Sequence, residues 1–144
     1  DQGDYAWSIK ATFYLDWDDA PAAAAIIENR SEEARQAGYY LQSEMADRLT
    51  EAHPRAATIL LRGATEETVA QAKSKYYGHA VRYIRQLQDC AERIGDWGDL
   101  PTHEAWWASF MEQHRRKTAL VARLGNAGIA WESGRKPSRG SGIT

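Results

Sequence analysis

Histidines are the first candidates for a functional site in this sequence, because imidazole can bind a metal or transfer a proton near neutral pH. The sequence contains four of them. Two, His103 and His114, share one predicted helix, on which 11 residues correspond to about 16 Å. One ion cannot bridge that distance, and no histidine pair has the spacing of a helical zinc site. We therefore expect no metal site and no cofactor.

The second candidate site is the cluster His114, Arg115, Arg116 and Lys117, which we call the basic turn. Apolar spacing on the same helix directs His114 towards the core. Successive helical residues differ by about 100°, so Arg115 and Arg116 should point largely outward. Their guanidiniums could then bind the carboxylate or phosphate of a partner. The alternative is a solvated surface beside a half-buried histidine.

Signatures of catalysis are missing from the sequence. It has no Gly-x-Ser-x-Gly nucleophile elbow and no glycine-rich phosphate loop. Cys90, the single cysteine, lies on an apolar helix face, where a thiol is usually inert. The acidic residues Asp16, Asp18 and Asp19 lack the glycine and the distal glutamate of a calcium loop. We expect a protein that is not an enzyme; a site assembled from dispersed residues is the alternative.

Length and composition indicate one globular domain. The chain has 144 residues, of which 43% are hydrophobic and 26% charged, which is typical of a folded protein. No apolar run approaches the length of a membrane span, so we expect no membrane contact. A single cysteine excludes an intrachain disulfide and fits a reducing compartment, so we expect a cytoplasmic protein.

Charge is distributed unevenly along the chain. Residues 1–67 contain 13 acidic and 6 basic residues, a net charge of −7, whereas residues 68–144 contain 7 acidic and 12 basic residues, a net charge of +5. Such asymmetry can indicate an acidic or nucleic-acid partner. Solvated helix faces are the simpler explanation.

Apolar residues recur at helical spacing along the chain, and strand signals are nearly absent. The clearest helix has the face Tyr76, Ala80, Tyr83, Leu87, Cys90 and Ile94. The first helix has the face Ala6, Ile9, Phe13 and Trp17. Four further helices are predicted over residues 20–28, 31–52, 54–73 and 101–124. Gly63 should bend or break the helix that contains it.

Six helices joined by short links predict an all-α fold of three antiparallel hairpins. The 37 residues from Ala20 to Ala57 are close to the period of tetratricopeptide repeats. We therefore predict a tetratricopeptide-like stack, with an irregular helical bundle as the alternative. Residues 1–124 would form this helical domain, and residues 125–144 a polar tail.

Three segments carry a family resemblance: HPRAATILLR (53–62), SKYYGHAVRYIRQL (74–87) and HEAWWASFMEQHRRK (103–117). They resemble an uncharacterised bacterial family of helical domains, some of whose members have a SWIM-type zinc finger upstream. The resemblance covers roughly residues 15–124. It implies a tetratricopeptide-like C-terminal domain in a bacterial cytoplasm, and it implies no catalytic residues. With one cysteine, this chain cannot itself hold the zinc finger.

The favoured function is a non-enzymatic helical scaffold that presents a surface to a protein or peptide partner. We expect it to be the C-terminal domain of a larger protein. The alternative is a nucleic-acid-associated module that uses the basic second half of the chain. The basic turn is the candidate binding site in either case, and the sequence does not indicate an oligomeric state.

Overall fold

The structure is a computed structural model that describes residues 2–71 and 73–129, with side chains from Ala6 onward. Its regular structure is entirely helical over these residues, so the predicted all-α class is confirmed. The helices are α1 (Gln2–Asp16), α2 (Ala20–Asn29), α3 (Ser31–Arg35), α4 (Tyr39–Leu49), α5 (Pro54–Ala70), α6 (Tyr77–Arg93), α7 (His103–His114) and α8 (Thr118–Asn126), with a 3₁₀ turn at Ser74–Tyr76.

The described chain forms eight α-helices where six were predicted, because two of the predicted helices are each divided in two. Residues 31–52 form α3 and α4, separated by a break at which Gly38 has a φ of +100°. Glycine adopts that conformation readily, and Gly38 is the residue directly before α4, whereas α3 already ends at Arg35. Residues 101–124 form α7 and α8. The basic turn therefore joins two helices instead of lying within one.

Helix α5 is the centre of the fold. Ten consecutive residues, 56–65, are buried, because α4 and α6 pack extensively along α5 while α2 and α3 cover its remaining sides. The predicted break at Gly63 is wrong, since α5 continues to Ala70. A Cβ atom on Gly63 would collide with the backbone of Arg35 and the side chain of Gln42. The glycine therefore allows α3 and α4 to approach α5 closely.

The predicted core face of α1 is also wrong. Trp7, Ala11 and Leu15 are buried, whereas Ile9, Phe13 and Trp17 are exposed. The helix is apolar on two sides, so helical periodicity alone could not choose between them. The choice depends on α2, against which α1 mainly packs.

The predicted core face of α6 is confirmed at its centre, where Ala80, Tyr83, Leu87 and Cys90 are buried. The predicted start of α7 is confirmed as well. The hydroxyl of Thr102 accepts a hydrogen bond from the amide of Ala105 at 3.2 Å, and this satisfies one of the free amides of the first helical turn.

The chain beyond α8 is described only as far as Ile129, which is buried against the core. The rest of the predicted tail, residues 130–144, lies outside the described residues. In the part of the chain that the structure covers, no helix is both long enough and apolar enough to span a bilayer.

Candidate functional site

The basic turn places its arginines at the surface. Arg115 and Arg116 are exposed, although they lie in the turn between α7 and α8 and not within the longer helix from which their outward direction was predicted. The guanidinium of Arg115 lies 3.8 Å from the carboxylate of Glu112, and both of these side chains are solvated. A long, exposed ion pair of this kind contributes little stability, so it leaves Arg115 available to a partner. A binding role for the turn remains a prediction.

His114 contributes no positive charge to that turn at neutral pH. Its ring is half-buried and its centroid lies 4.7 Å from that of Phe110. Burial and, secondarily, the charge of Lys117 lower the pKa of His114. Its buried Nδ1 atom has no hydrogen-bond partner among the described residues. The positive charge of the turn therefore comes from Arg115, Arg116 and Lys117.

A second candidate surface lies on α1. Ile9 and Phe13 of α1 are 69% and 54% exposed, and Trp17, directly after this helix, is 73% exposed, although all three are large apolar side chains. The rings of Phe13 and Trp17 contact each other, with centroids 5.8 Å apart. Ile9 and Phe13, together with Ala25 and Ile26 of α2, line an apolar groove of about 550 Å³, and Trp17 lies next to it against Phe13. We call this surface the α1–α2 groove.

The ends of the α1–α2 groove differ in charge. Lys10 lines the groove near the middle of α1, whereas Asp16 and Asp18 are exposed where α1 ends. Asp16 also accepts a hydrogen bond from Arg48 at 3.1 Å. The groove therefore has one basic and one acidic end, which favours one orientation of a charged partner.

A third candidate surface follows one face of α5, along which Arg55, Ile59, Arg62 and Glu66 recur at steps of 4, 3 and 4 residues. The first two line a cleft of about 470 Å³, which we call the arginine cleft. Its other walls come from the end of α2, from α3 and from the loop 94–102. Polar and aromatic residues among them are Glu28, Asn29, Ser31, Arg35, Trp97 and Asp99.

Arg55 holds the outer part of the arginine cleft together. Its Nε donates to the carboxylate of Glu28 at 2.8 Å, and its Nη1 donates to the carbonyl oxygen of Asp96 at 2.9 Å. The loop turns at Gly98, which has a φ of +57° and leaves room for the Arg55 guanidinium. Arg55 is therefore occupied by the protein itself.

Arg62 lies behind this cleft and is only 2% exposed. Its guanidinium carbon is 5.7 Å from the ring centroid of Trp97 and 5.5 Å from that of Trp106. Burial lowers the pKa of Arg62 to about 10, against the opposing effect of Glu66, so the side chain stays positively charged at neutral pH. The Nε and Nη2 atoms are buried and have no hydrogen-bond partner within the described chain.

Few of the described residues could take part in metal binding or catalysis. No group of three or more histidine, cysteine, aspartate or glutamate side chains that could hold a metal occurs among the described residues. Cys90 is fully buried, and desolvation raises the pKa of its thiol, which disfavours the nucleophilic thiolate. The expectations of no cofactor and no catalysis remain predictions.

Comparison with known families places the chain in one of them. Residues 7–123 match the model of DUF6880, a family of unknown function, and this match covers most of the chain. The chain belongs to that family. Neither the curated proteins nor the solved structures contain a significant match.

The DUF6880 match includes all three candidate surfaces: the α1–α2 groove, the arginine cleft and the basic turn. Sequence analysis found only the basic turn. The α1–α2 groove was missed because its side chains were assigned to the core. The arginine cleft was missed because its walls come from α2, α3, α5 and the loop 94–102, which are far apart in the sequence. Arg62 is a charged residue among the apolar neighbours Leu60, Leu61 and Ala64. This was the signal in the sequence that could have indicated a buried arginine.

Proposed function

We propose that this domain is a non-enzymatic interaction module that binds an amphipathic helix of a protein partner in the α1–α2 groove. The observation that supports it is the exposure of Ile9 and Phe13 on one face of α1 and of Trp17 directly after that helix. Contiguous exposed apolar surface of this kind commonly marks a protein-binding site. Tryptophan and other aromatic side chains are also the usual anchors of such interfaces.

The spacing of these three side chains suits a helical partner. Four-residue steps on α1 separate successive anchors by about 6 Å, which matches the repeat of apolar residues on a partner helix that lies in a groove. The partner should carry acidic residues near Lys10 and basic residues near Asp18. That charge pattern would set the direction of the partner helix.

We also propose that the helix pairs form a tetratricopeptide-like stack within a bacterial cytoplasmic protein, of which this domain is the C-terminal part. Packing of α1 on α2 and of α4 on α5 supports paired helices, and stacked pairs form extended binding surfaces. The buried free thiol of Cys90 fits a reducing compartment. An experimental structure of the whole protein and cell fractionation test these two proposals.

Affinity capture followed by mass spectrometry tests the groove. The double variant Ile9→Ser/Phe13→Ser should lose a protein that the wild type retains, and a helical segment of that protein should bind the wild type in calorimetry. Tyr40→Ser is the matched control, because Tyr40 is an exposed aromatic residue outside the groove lining. If the double variant binds the same segment with unchanged affinity, the groove is not the binding site.

Nucleic-acid binding through the basic turn is the second candidate function. The exposure of Arg115 and Arg116 favours it. Charge reversal in the double variant Arg115→Glu/Arg116→Glu should weaken DNA or RNA binding and reduce its dependence on salt concentration, since fewer counterions would be released. A wild-type chain that shifts neither DNA nor RNA in a gel at low salt would exclude this function.

A further inference from the structure

We propose a second binding site, reached through the arginine cleft, in which Arg62 binds the carboxylate of a small organic acid. This site lies on a different surface from the α1–α2 groove. It therefore stands or fails independently of the function proposed above.

The donors of Arg62 that have no partner are the two that a carboxylate needs. In a guanidinium group, the Nε–H and the neighbouring Nη2–H point in parallel from the same edge, and together they can bind both oxygens of one carboxylate. These are the two atoms of Arg62 that are buried without a hydrogen-bond partner in the described structure. Buried donors without an acceptor cost free energy, and an acceptor that enters from outside would remove that cost.

The aromatic neighbours of Arg62 restrict the shape of the ligand. Trp97 and Trp106 lie over the guanidinium, and the Trp106 indole is held by its hydrogen bond to Glu66 at 3.0 Å. With rings packed against its faces, the guanidinium offers its in-plane edge. A flat group that carries two oxygens fits that edge.

The position of Arg62 on α5 places it close to the cleft. Arg55 and Ile59, which precede it on the same helix face, line the cleft. Arg62 itself is not part of the cleft lining, and the residue that connects the two is Trp97. Trp97 both lines the cleft and lies against Arg62. It therefore forms the partition between the open cleft and the buried guanidinium.

The charges around the cleft favour a single negative charge on the ligand. Arg55 is already paired with Glu28, so the cleft lining supplies only one other cation, Arg35, and that residue lies 3.5 Å from Glu32. Asp99 also lines the cleft, and Glu66 lies near Arg62. A dianionic phosphate would be repelled by these carboxylates. The volume of about 470 Å³ is in the usual range of small-molecule sites.

Side-chain NMR of the full chain tests the proposal with sodium acetate and sodium benzoate as probes. The Nε–H resonance of Arg62 is assigned by through-bond correlation to the backbone amide of the same residue. We expect it to shift to saturation on titration with benzoate or acetate. Arg62→Lys keeps the charge but lacks the paired donors, so calorimetry should show affinity reduced about tenfold or more. Arg82→Lys, which changes an exposed arginine outside all three candidate surfaces, should leave affinity unchanged.

A second variant covers the case in which Arg62→Lys does not fold. Trp97→Ala leaves Arg62 in place and removes the partition, so it should bind benzoate with a faster association rate than the wild type. Absence of any shift of the Arg62 resonance in both wild type and Trp97→Ala would overturn the proposal. So would tighter binding of inorganic phosphate, or binding of an acidic peptide without binding of either free acid.

Discussion

The carbonyl oxygen of Arg35, the last residue of α3, lies directly over the α-carbon of Gly63 in the middle of α5. Gln42 of α4 approaches the same point, and its side-chain amide donates to the carbonyl of Ala34 at 2.9 Å. Three helices therefore meet at a position where only a hydrogen atom fits. Glycine inside a helix is usually a weakness, but here it is a packing requirement.

Replacement of Gly63 by alanine should destabilise the protein. The added methyl group would meet the backbone of α3, and overpacking of this kind typically costs about 1–3 kcal/mol, which outweighs a gain in helix propensity of about 1 kcal/mol. Denaturant unfolding followed by circular dichroism measures the effect. Gly125→Ala in α8 is the control, since no atom lies within 4 Å of its Cβ position. The Gly125→Ala variant should be slightly more stable than the wild type. If Gly63→Ala were also more stable, the close packing of α3 and α4 against Gly63 would be contradicted.

The two faces of α1 should respond differently to substitution. Leu15 is buried, so Leu15→Ala should reduce the free energy of unfolding by about 2–5 kcal/mol. Phe13 is 54% exposed, so Phe13→Ser should change it by less than about 0.5 kcal/mol. Thermal unfolding of the two variants measures both. The reverse ranking would mean that α1 is rotated about its axis.

The central face of α6 should be among the most sensitive positions in the chain. Leu87 is almost completely buried, and Leu87→Ala should cost about 2–5 kcal/mol through the cavity that it leaves. Arg82→Ala on the exposed side of the same helix should cost less than about 0.5 kcal/mol. A loss below about 0.5 kcal/mol for Leu87→Ala would show that α6 does not bury this face.

Stability should decrease as the pH is lowered through the range in which His114 titrates. Burial lowers the pKa of His114 in the folded protein, so the unfolded chain takes up this proton at a higher pH than the folded chain does. The contribution of His114 is therefore present above the ordinary histidine pKa of 6.5 and is lost as the pH falls through the lowered folded value.

The pH effect is measured as the difference in Tm between pH 8 and pH 5. His114→Phe should show a smaller difference than the wild type. Gln113→Phe, at an exposed neighbouring position, should keep the wild-type difference. If the Tm difference between pH 8 and pH 5 were the same in the wild type and in His114→Phe, the pKa of His114 would not differ between the folded and the unfolded chain.

Local signals in the sequence were sufficient for much of the helical structure. The core face of α6 and the capping of α7 by Thr102 both depend on residues within a few positions of one another, and both are confirmed. The divisions after α3 and α7 were missed because helical spacing continues across them. Apolar residues can keep their helical spacing across a turn, so this spacing does not show where the chain changes direction.

By itself, the sequence determined the all-α class and most helix positions, because backbone propensity, apolar period and capping are local properties. Tertiary structure alone decided which face of α1 is buried, why α5 tolerates Gly63, and that Arg62 is enclosed by Trp97 and Trp106. Each of these depends on residues far apart in the chain. The burial of a side chain is a property of its neighbours in space, which no short window of sequence contains.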